Sequence, residues 1–114
     1  MSWVFRVTEG AQAGRRFECR GERFLLVGCD LHAHIRLRGD DPYISGVHCL
    51  LEALPSRLLV RDLESTNGTL VNGRQVRYAE LKDGDEIRLG RTTLKVEWVE
   101  GGTQPRFESP LGAS

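Results

Sequence analysis

Apolar and polar residues alternate along this chain with a period of two. The alternation is clearest over residues 3–7, 16–20 and 94–98, where the apolar positions are Trp3, Phe5, Val7, Phe17, Cys19, Leu94, Val96 and Trp98. Because successive side chains of a strand point to opposite faces of a sheet, this pattern predicts strands with one buried face. We expect the core to include Trp3 or Phe5, together with Ile35, Leu50, Val60, Ile87, Val96 and Trp98.

Glycine-containing turns separate the predicted strands at short intervals. They occur at residues 9–10, 13–14, 20–21, 72–73 and 83–84. The pair Asn72-Gly73 stands between two apolar segments, which predicts a two-residue β-hairpin. No segment keeps a helical period for long, and residues 76–82 are too few for more than one turn of helix. Many short strands in a chain of this size predict an antiparallel sandwich or barrel.

The length and composition of the chain favour one domain. The chain has 114 residues, of which 39% are hydrophobic, so it can bury one modest core. Residues 101–114 contain few apolar side chains and include glycine and proline. We therefore expect a single domain at residues 1–100, followed by a flexible tail or linker.

The charges of the chain are balanced, with 16 basic and 16 acidic residues. This composition disfavours nucleic acid and acidic membranes as partners. The apolar runs are too short to cross a bilayer, and the N-terminus lacks the pattern of a secretory signal. We therefore expect a cytoplasmic protein in which Cys19, Cys29 and Cys49 are free thiols.

The most informative stretch is residues 62–73, which has the motif Ser-Gly-Val-His at residues 45–48 upstream of it. Ser65, Thr66 and Asn67 can donate hydrogen bonds without carrying charge. Glycines in the same stretch allow the positive φ angles that tight loops need. Such loops are suited to holding an anion or a peptide backbone. The chemistry indicates recognition rather than catalysis.

Other groups of polar residues in the sequence have simpler explanations than a catalytic or metal site. Ser45, His48 and Asp62 are the residue types of a hydrolytic triad, but they lack the strand–turn–helix setting of a catalytic serine. The residue types of a zinc site, without its paired spacing, occur at Cys29, His32, His34 and Cys49. Asp40 and Asp41 before Pro42 are most simply explained as a solvated turn. We expect no enzymatic activity, no metal and no cofactor.

The order of these loop motifs resembles the forkhead-associated (FHA) domain, a phosphothreonine-binding β-sandwich. The resemblance covers residues 1–100, and its landmarks occur in the family's order at residues 26–28, 34–37, 44–48, 60–63, 65–69, 71–73 and 81–90. It implies an all-β fold, an antiparallel β-sandwich of about eleven short strands of the FHA/SMAD-like type.

The resemblance also implies roles for residues of the loops. The family's phosphopeptide contacts fall on Ser45, Gly46, Thr66 and Asn67, and its structural support of the binding loops falls on Gly28, His48, Gly68, Asn72 and Gly73. Two positions depart from the family. An arginine that contacts the phosphate normally follows the glycine at 28, and here the residue is Cys29. At Gly46 the family has arginine or asparagine, so only a backbone N–H remains.

Two functions follow from the resemblance. The first is an adaptor that binds phosphothreonine-containing segments of a phosphorylated protein, such as a Ser/Thr kinase or its substrate, with binding weakened at Cys29 and Gly46. The second is a phosphate-independent FHA-like scaffold for protein–protein interaction. The first function needs a replacement cation, and the candidates are Arg15, Arg16, Arg36, Arg38 and Arg91.

Overall fold

A computed structural model describes residues 2–37 and 41–100 as eleven β-strands and their connections. In chain order the strands are β1 (Ser2–Glu9), β2 (Arg16–Arg20), β3 (Arg23–Gly28), β4 (Ile35–Arg36), β5 (Cys49–Leu54), β6 (Arg57–Asp62), β7 (Thr69–Val71), β8 (Arg74–Val76), β9 (Tyr78–Leu81), β10 (Glu86–Leu89) and β11 (Thr92–Val99). The predicted tail at residues 101–114 lies outside the described residues. In the described part of the chain, no helix is present that could span a membrane.

The strands form two sheets that enclose one core. One sheet has six strands in the order β2-β1-β11-β10-β7-β8, and the other has five in the order β4-β3-β5-β6-β9. The described neighbours run antiparallel except for β3 and β4, which are parallel. The all-β sandwich predicted from the sequence is confirmed.

The core is built from the inner faces of both sheets. The predicted core residues that are buried are Trp3, Phe5, Ile35, Val60, Ile87 and Val96. Trp98 is half-buried and packs against this core. Its ring centroid lies 4.7 Å from that of Trp3, and the two ring planes are tilted by 59°.

The core prediction for Leu50 is wrong by one residue. β5 buries Cys49, Leu51 and Ala53 on its inner face, whereas Leu50 and Glu52 alternate on the outer face and are only half-buried. The strand has leucines on both faces, so the alternation alone did not determine which face is buried. The polar residue Glu52 marks the outer face.

The predicted hairpin at Asn72 and Gly73 is confirmed. Val71 pairs with Arg74 across these two residues, whose φ angles are 50° and 85°. Positive φ at both central positions is typical of the type I′ turn, whose twist matches that of the flanking strands.

The turn of helix considered for residues 76–82 does not form. β8 ends at Val76 and β9 begins at Tyr78. In β9, Leu81 is buried and pairs with Leu58 of β6. Pairing along a neighbouring strand and burial of an apolar side chain outweigh the weak local preference of such a short segment.

Four connections meet at one end of the sandwich, namely β3–β4, β4–β5, β6–β7 and the β10–β11 turn. The β4–β5 connection is central, because it forms hydrogen bonds with each of the other three. We call this region the loop end. Most of the candidate binding residues of the sequence analysis lie here.

The three cysteines are free thiols, as expected from the sequence. Cys19 and Cys49 are buried, and burial raises the pKa of both thiols. Cys29 is exposed in the β3–β4 connection. Of the three, it is therefore Cys29 that contributes a thiol to the surface of the loop end.

Candidate functional site

The β3–β4 and β4–β5 connections are joined through their backbones. The N–H groups of Cys29 and Asp30 donate to the carbonyl oxygens of Ser45 and Gly46, at 3.2 and 3.1 Å. Gly28 lies so close to this segment that a Cβ on it would be 2.0 Å from the Gly46 carbonyl oxygen. Glycine is therefore required at position 28 by the close approach of two backbones.

A buried histidine connects the β4–β5 connection to the β6–β7 connection. His48 has no exposed surface. Its Nδ1 accepts the N–H of Ser45 at 3.0 Å, and its Nε2 lies 2.9 Å from the carbonyl oxygen of Gly68. Because Nδ1 accepts, Nε2 carries the proton and donates to Gly68. The ring thus holds two loops together from beneath, which is the role that the resemblance implies for His48.

Asp62 organises the β6–β7 connection from within. Its carboxylate accepts the Ser65 hydroxyl at 2.6 Å, the Ser65 N–H at 3.2 Å and the Thr69 hydroxyl at 2.7 Å. Burial alone would raise the pKa of this carboxyl group. The hydrogen bonds from Ser65 and Thr69 outweigh that effect, so the pKa of Asp62 is lowered. The charged form of Asp62 therefore stabilises the folded loop.

We expect Asp62→Asn to destabilise the fold at about pH 7 by about 2 kcal/mol, since hydrogen bonds to a charged group contribute about 1.5–3 kcal/mol. A lowered pKa means that this stabilisation is present above the ordinary carboxyl value of 3.8 and is lost as the pH falls through the folded-state pKa. Chemical denaturation at about pH 7 and about pH 3 measures the effect, and the deficit should shrink at the lower pH.

The control for this prediction is Glu64→Gln, which removes an exposed carboxylate from the same connection. This control should change stability by less than about 0.5 kcal/mol. A deficit of Asp62→Asn that is equal at both pH values would contradict the stabilising role of the charge.

Three of the predicted contact residues lie close together at the loop end. The Thr66 N–H donates to Ser45 Oγ at 3.1 Å, and the Asn67 side-chain amide donates to the Tyr43 carbonyl at 3.2 Å. Because Ser45 Oγ accepts a hydrogen bond here, its own proton is available to a ligand oxygen. Thr66 and Asn67 are exposed beside it. The group can offer uncharged donors to a bound anion.

Ser65 has an internal role rather than that of a ligand donor. Its hydroxyl donates to Asp62 and accepts the Gly68 N–H at 3.0 Å. Gly68 closes the same turn with a φ angle of 88°. The Ser65 hydroxyl therefore shapes the loop that presents Thr66.

Asn72 and Gly73 lie in a different part of the molecule. The Asn72 side chain donates to the Asp85 carboxylate and accepts the Glu86 N–H, both at 3.0 Å. These bonds brace the β9–β10 turn. Within the described ranges, the hydrogen bonds of the Asn72 side chain go to this turn and not to the connections that hold Ser45.

Neither Cys29 nor Gly46 supplies a positive charge beside Ser45. The Cys29 thiol donates to the Ile44 carbonyl at 3.5 Å, and Gly46 has no side chain. The Cβ of Asp30 would be 3.7 Å from a Cβ built on Gly46. The position at which the resemblance implies an arginine therefore presents a thiol, with the acidic residue Asp30 beside it.

Of the candidate replacement cations that the structure describes, Arg36 contacts this position directly. Its Nε donates to the Cys29 carbonyl at 3.4 Å, and the Arg15 guanidinium donates to the Arg36 carbonyl at 3.2 Å. Arg16 lies in β2, and Arg38 lies outside the described residues. Arg36 thus bonds the backbone of Cys29, and Arg15 bonds the backbone of Arg36.

Asp41 forms long-range contacts that turn propensity does not predict. Its carboxylate accepts the N–H groups of Tyr43 and Arg91 at 3.0 and 2.7 Å, and the Thr92 hydroxyl at 3.2 Å. Arg91 and Asp41 are 50 residues apart, so local sequence carries no signal of this contact. The predicted turn forms, with the Ile44 N–H donating to the Asp41 carbonyl at 3.4 Å. The Asp41 side chain, however, is half-buried and hydrogen-bonded rather than solvated, and Asp40 lies outside the described residues.

Side chains of the possible catalytic triad and of the possible zinc site form hydrogen bonds with other groups. Both ring nitrogens of His48 are engaged with backbone groups, and the Asp62 carboxylate holds its own loop. The Nδ1 of His34 accepts the Leu26 N–H at 2.9 Å. No group of three or more potential metal ligands occurs in the ranges 2–37 and 41–100.

Comparison with known proteins gives consistent matches. The family model of the FHA domain matches residues 25–90. The chain is 37% identical over 84 residues to the FHA domain-containing protein FhaA of Mycobacterium tuberculosis, which covers 74% of this chain and 15% of FhaA. It is 35% identical over 91 residues to FhaB of Mycolicibacterium smegmatis, which covers 79% of this chain and 57% of FhaB. The chain thus spans only part of either relative.

A solved structure matches the fold over nearly its whole length. It was determined in a structural and functional study of phosphothreonine-dependent FHA domain interactions. The two chains are 31% identical and superpose with a TM-score of 0.77. The match covers 88% of this chain and 99% of the solved one.

Proposed function

Because this chain belongs to the FHA domain family, we propose that it is an adaptor domain that binds a phosphothreonine-containing segment of a partner protein. Ser45 and Thr66 donate to the phosphate together with the Gly46 N–H, and Asn67 holds the main chain of the ligand. The partner is a phosphorylated protein, such as a Ser/Thr kinase or its substrate.

The observation that carries this proposal is the hydrogen bond of 3.1 Å between the Thr66 N–H and Ser45 Oγ. The two residues are 21 positions apart in the chain, yet this bond holds them in contact. A phosphate presents three strong acceptor oxygens, so it is best bound where several donors converge. The buried ring of His48 keeps the two loops in this arrangement without a ligand.

The absence of an arginine at Cys29 weakens this site. A hydrogen bond to a charged partner contributes about 1.5–3 kcal/mol, which corresponds to roughly a ten- to hundredfold change in affinity. We therefore expect weaker phosphothreonine binding than a site with that arginine would give.

A specific observation supports the phosphate-independent scaffold as a second candidate function. Three large apolar side chains at the loop end are exposed, with 68% of Leu31, 41% of Tyr43 and 45% of Val47 accessible to solvent. Asp30 adds negative charge near Gly46. Such a surface is suited to an unphosphorylated segment with apolar side chains.

A titration with a degenerate phosphothreonine peptide library and its unphosphorylated twin distinguishes the two functions. The adaptor should bind the phosphorylated library at least about tenfold more tightly, because the added phosphate gains one or more charge-assisted hydrogen bonds. Equal affinity for both libraries would overturn the adaptor and favour the scaffold.

Restoring the cation should strengthen the site. We expect Cys29→Arg, alone or with Gly46→Arg, to raise affinity for phosphothreonine peptides at least about tenfold, since a guanidinium engages phosphate oxygens in pairs. A Cβ at Gly46 meets nothing closer than 3.7 Å, so the second substitution adds no contact with the backbone. Isothermal titration at low and high salt measures the gain, which should shrink as salt screens the charges.

The matched control for the restored cation is Cys29→Gln, which adds a long polar side chain without charge. It should leave the affinity nearly unchanged. If the wild type binds phosphothreonine tightly and the arginine adds nothing, another residue already supplies the cation. If folded variants bind no phosphopeptide at all, the scaffold is the better interpretation.

A further inference from the structure

A groove lined by both tryptophans of the chain lies at the end of the sandwich opposite the loop end. β5 and β11 begin at the loop end, and the groove lies near their other ends, at Leu54 and Trp98. It consists of two clefts of about 230 and 300 Å³, both lined by Trp3 and Trp98. Pro55 and Ser56, which connect β5 to β6, complete its walls. We call this feature the tryptophan groove.

The tryptophan groove contains an unpaired hydrogen-bond donor. Trp3 is 7% exposed, and within the described residues its indole N–H has no hydrogen-bond partner. The indole N–H of Trp98, in contrast, donates to the Glu100 carboxylate at 2.9 Å. Buried donors without a partner are uncommon in folded proteins. A chain segment that packs on the Trp3 ring brings backbone carbonyl groups, which are suitable acceptors for this donor.

The segment that follows Glu100 starts beside this groove. Residues 101–114 begin three positions after Trp98, which is itself a wall of the groove. Residues 101 and 102 are both glycine, and a pair of glycines allows the chain to reverse its direction. Residues 101–106 can then span about 20 Å when extended. The residues after them can therefore return from the end of β11 to the groove.

The side chains of this segment complement the groove. Phe107 is its one aromatic residue, and aromatic rings pack well against indole rings. Pro105 is also suited to an aromatic-lined groove, because proline-containing segments are extended before they bind. Arg106 stands between them. Glu22 is an exposed lining residue of the groove, and none of the ion pairs described for residues 2–37 and 41–100 involves it.

We propose that residues 101–114 dock in the tryptophan groove of their own chain. Phe107 packs beside the two indole rings, and a backbone carbonyl group of the segment accepts the Trp3 N–H. The segment is then a packed extension of the domain and not a free linker. A short linker gives an effective concentration of about 1 mM, so a contact with a Kd of about 0.1 mM is occupied in about nine of ten molecules. This docking does not depend on phosphopeptide binding at the loop end.

Phe107→Ala in the full chain tests the docking. Because Trp3 and Trp98 are the two tryptophans of the chain, both indole N–H signals in NMR spectra report on the groove. The wild type should show nuclear Overhauser contacts between the Phe107 ring and the Trp98 indole. The variant should shift both indole signals and lower the melting temperature by roughly 5 °C, the effect of losing an about tenfold stabilisation by the docked segment. The control Ser109→Ala, in the same segment, should change neither quantity.

Addition of the segment as a separate peptide completes the test. A peptide of residues 101–114 at about 1 mM should return both indole signals of Phe107→Ala toward their wild-type positions, because it supplies the effective concentration that the linker provides. A wild-type protein without the Overhauser contacts, with indole signals that Phe107→Ala leaves unchanged, would overturn the docking. So would a variant whose signals the peptide does not restore. Wild-type contacts that disappear on dilution would also overturn it, since the groove would then hold the segment of a second copy.

Discussion

Replacing Gly28 with alanine is expected to destabilise the protein by about 2–3 kcal/mol and to lower its melting temperature by roughly 10 °C or more. The added Cβ would lie 2.0 Å from the Gly46 carbonyl oxygen and 2.9 Å from that of Ser45. Both atoms belong to the backbone, so no side chain can rotate away. The strain would separate the β3–β4 connection from the β4–β5 connection, and any phosphopeptide binding should fall with it. Thermal denaturation followed by circular dichroism measures the loss.

Gly46→Ala is the matched control, because it adds the same methyl group on the other side of the contact. The nearest atom to a Cβ at Gly46 is the Asp30 Cβ at 3.7 Å, an ordinary van der Waals distance. The melting temperature should therefore change little. Similar losses in both variants would show that the short distance between Gly28 and the β4–β5 connection is not the cause of the lower stability of Gly28→Ala.

Replacing His48 with alanine is expected to cost about 2–4 kcal/mol of stability. The change leaves the Ser45 N–H and the Gly68 carbonyl without their partner, and it opens a cavity where a fully buried ring had been. Ser45→Ala should cost less than about 1 kcal/mol, because the Thr66 N–H that loses its acceptor belongs to an exposed residue. Chemical denaturation of both variants measures the contrast.

The two variants should rank in the opposite order for phosphothreonine binding and for stability. Ser45→Ala should weaken phosphothreonine binding by roughly tenfold while the protein stays folded, since one donor to a charged phosphate is lost. Equal stability losses in the two variants, with binding unchanged in Ser45→Ala, would contradict the division between a supporting histidine and a contacting serine.

The connections of the loop end are held by groups that need no ligand. His48 joins β4–β5 to β6–β7, Asp62 shapes β6–β7, and Asp41 holds the β10–β11 turn. These groups act beneath or beside the exposed surface. Residues such as Cys29 and Gly46 can therefore differ from the family pattern while the loops keep their arrangement.

Parts of this protein that depend on local chemistry were predictable from its sequence. Period-two alternation located β1, β2 and β11 because a strand presents successive side chains to opposite faces. The Asn72-Gly73 turn was predictable because few residue pairs accept positive φ at both positions. The order of the loop motifs was also sufficient to identify the family and the two positions, Cys29 and Gly46, that depart from its pattern.

Contacts between distant segments could be identified only in the folded structure. Leu50 faces outward because β5 pairs with β3 and β6 in one register. The leucines of β5 would suit either face of the sheet. Residues 78–81 of the segment considered for a helical turn form β9 because β6 offers a partner strand. Asp41 meets Arg91 across 50 residues. Such pairings depend on which surfaces the folded chain brings together, and a hydrogen bond between distant residues leaves no periodic trace in the sequence.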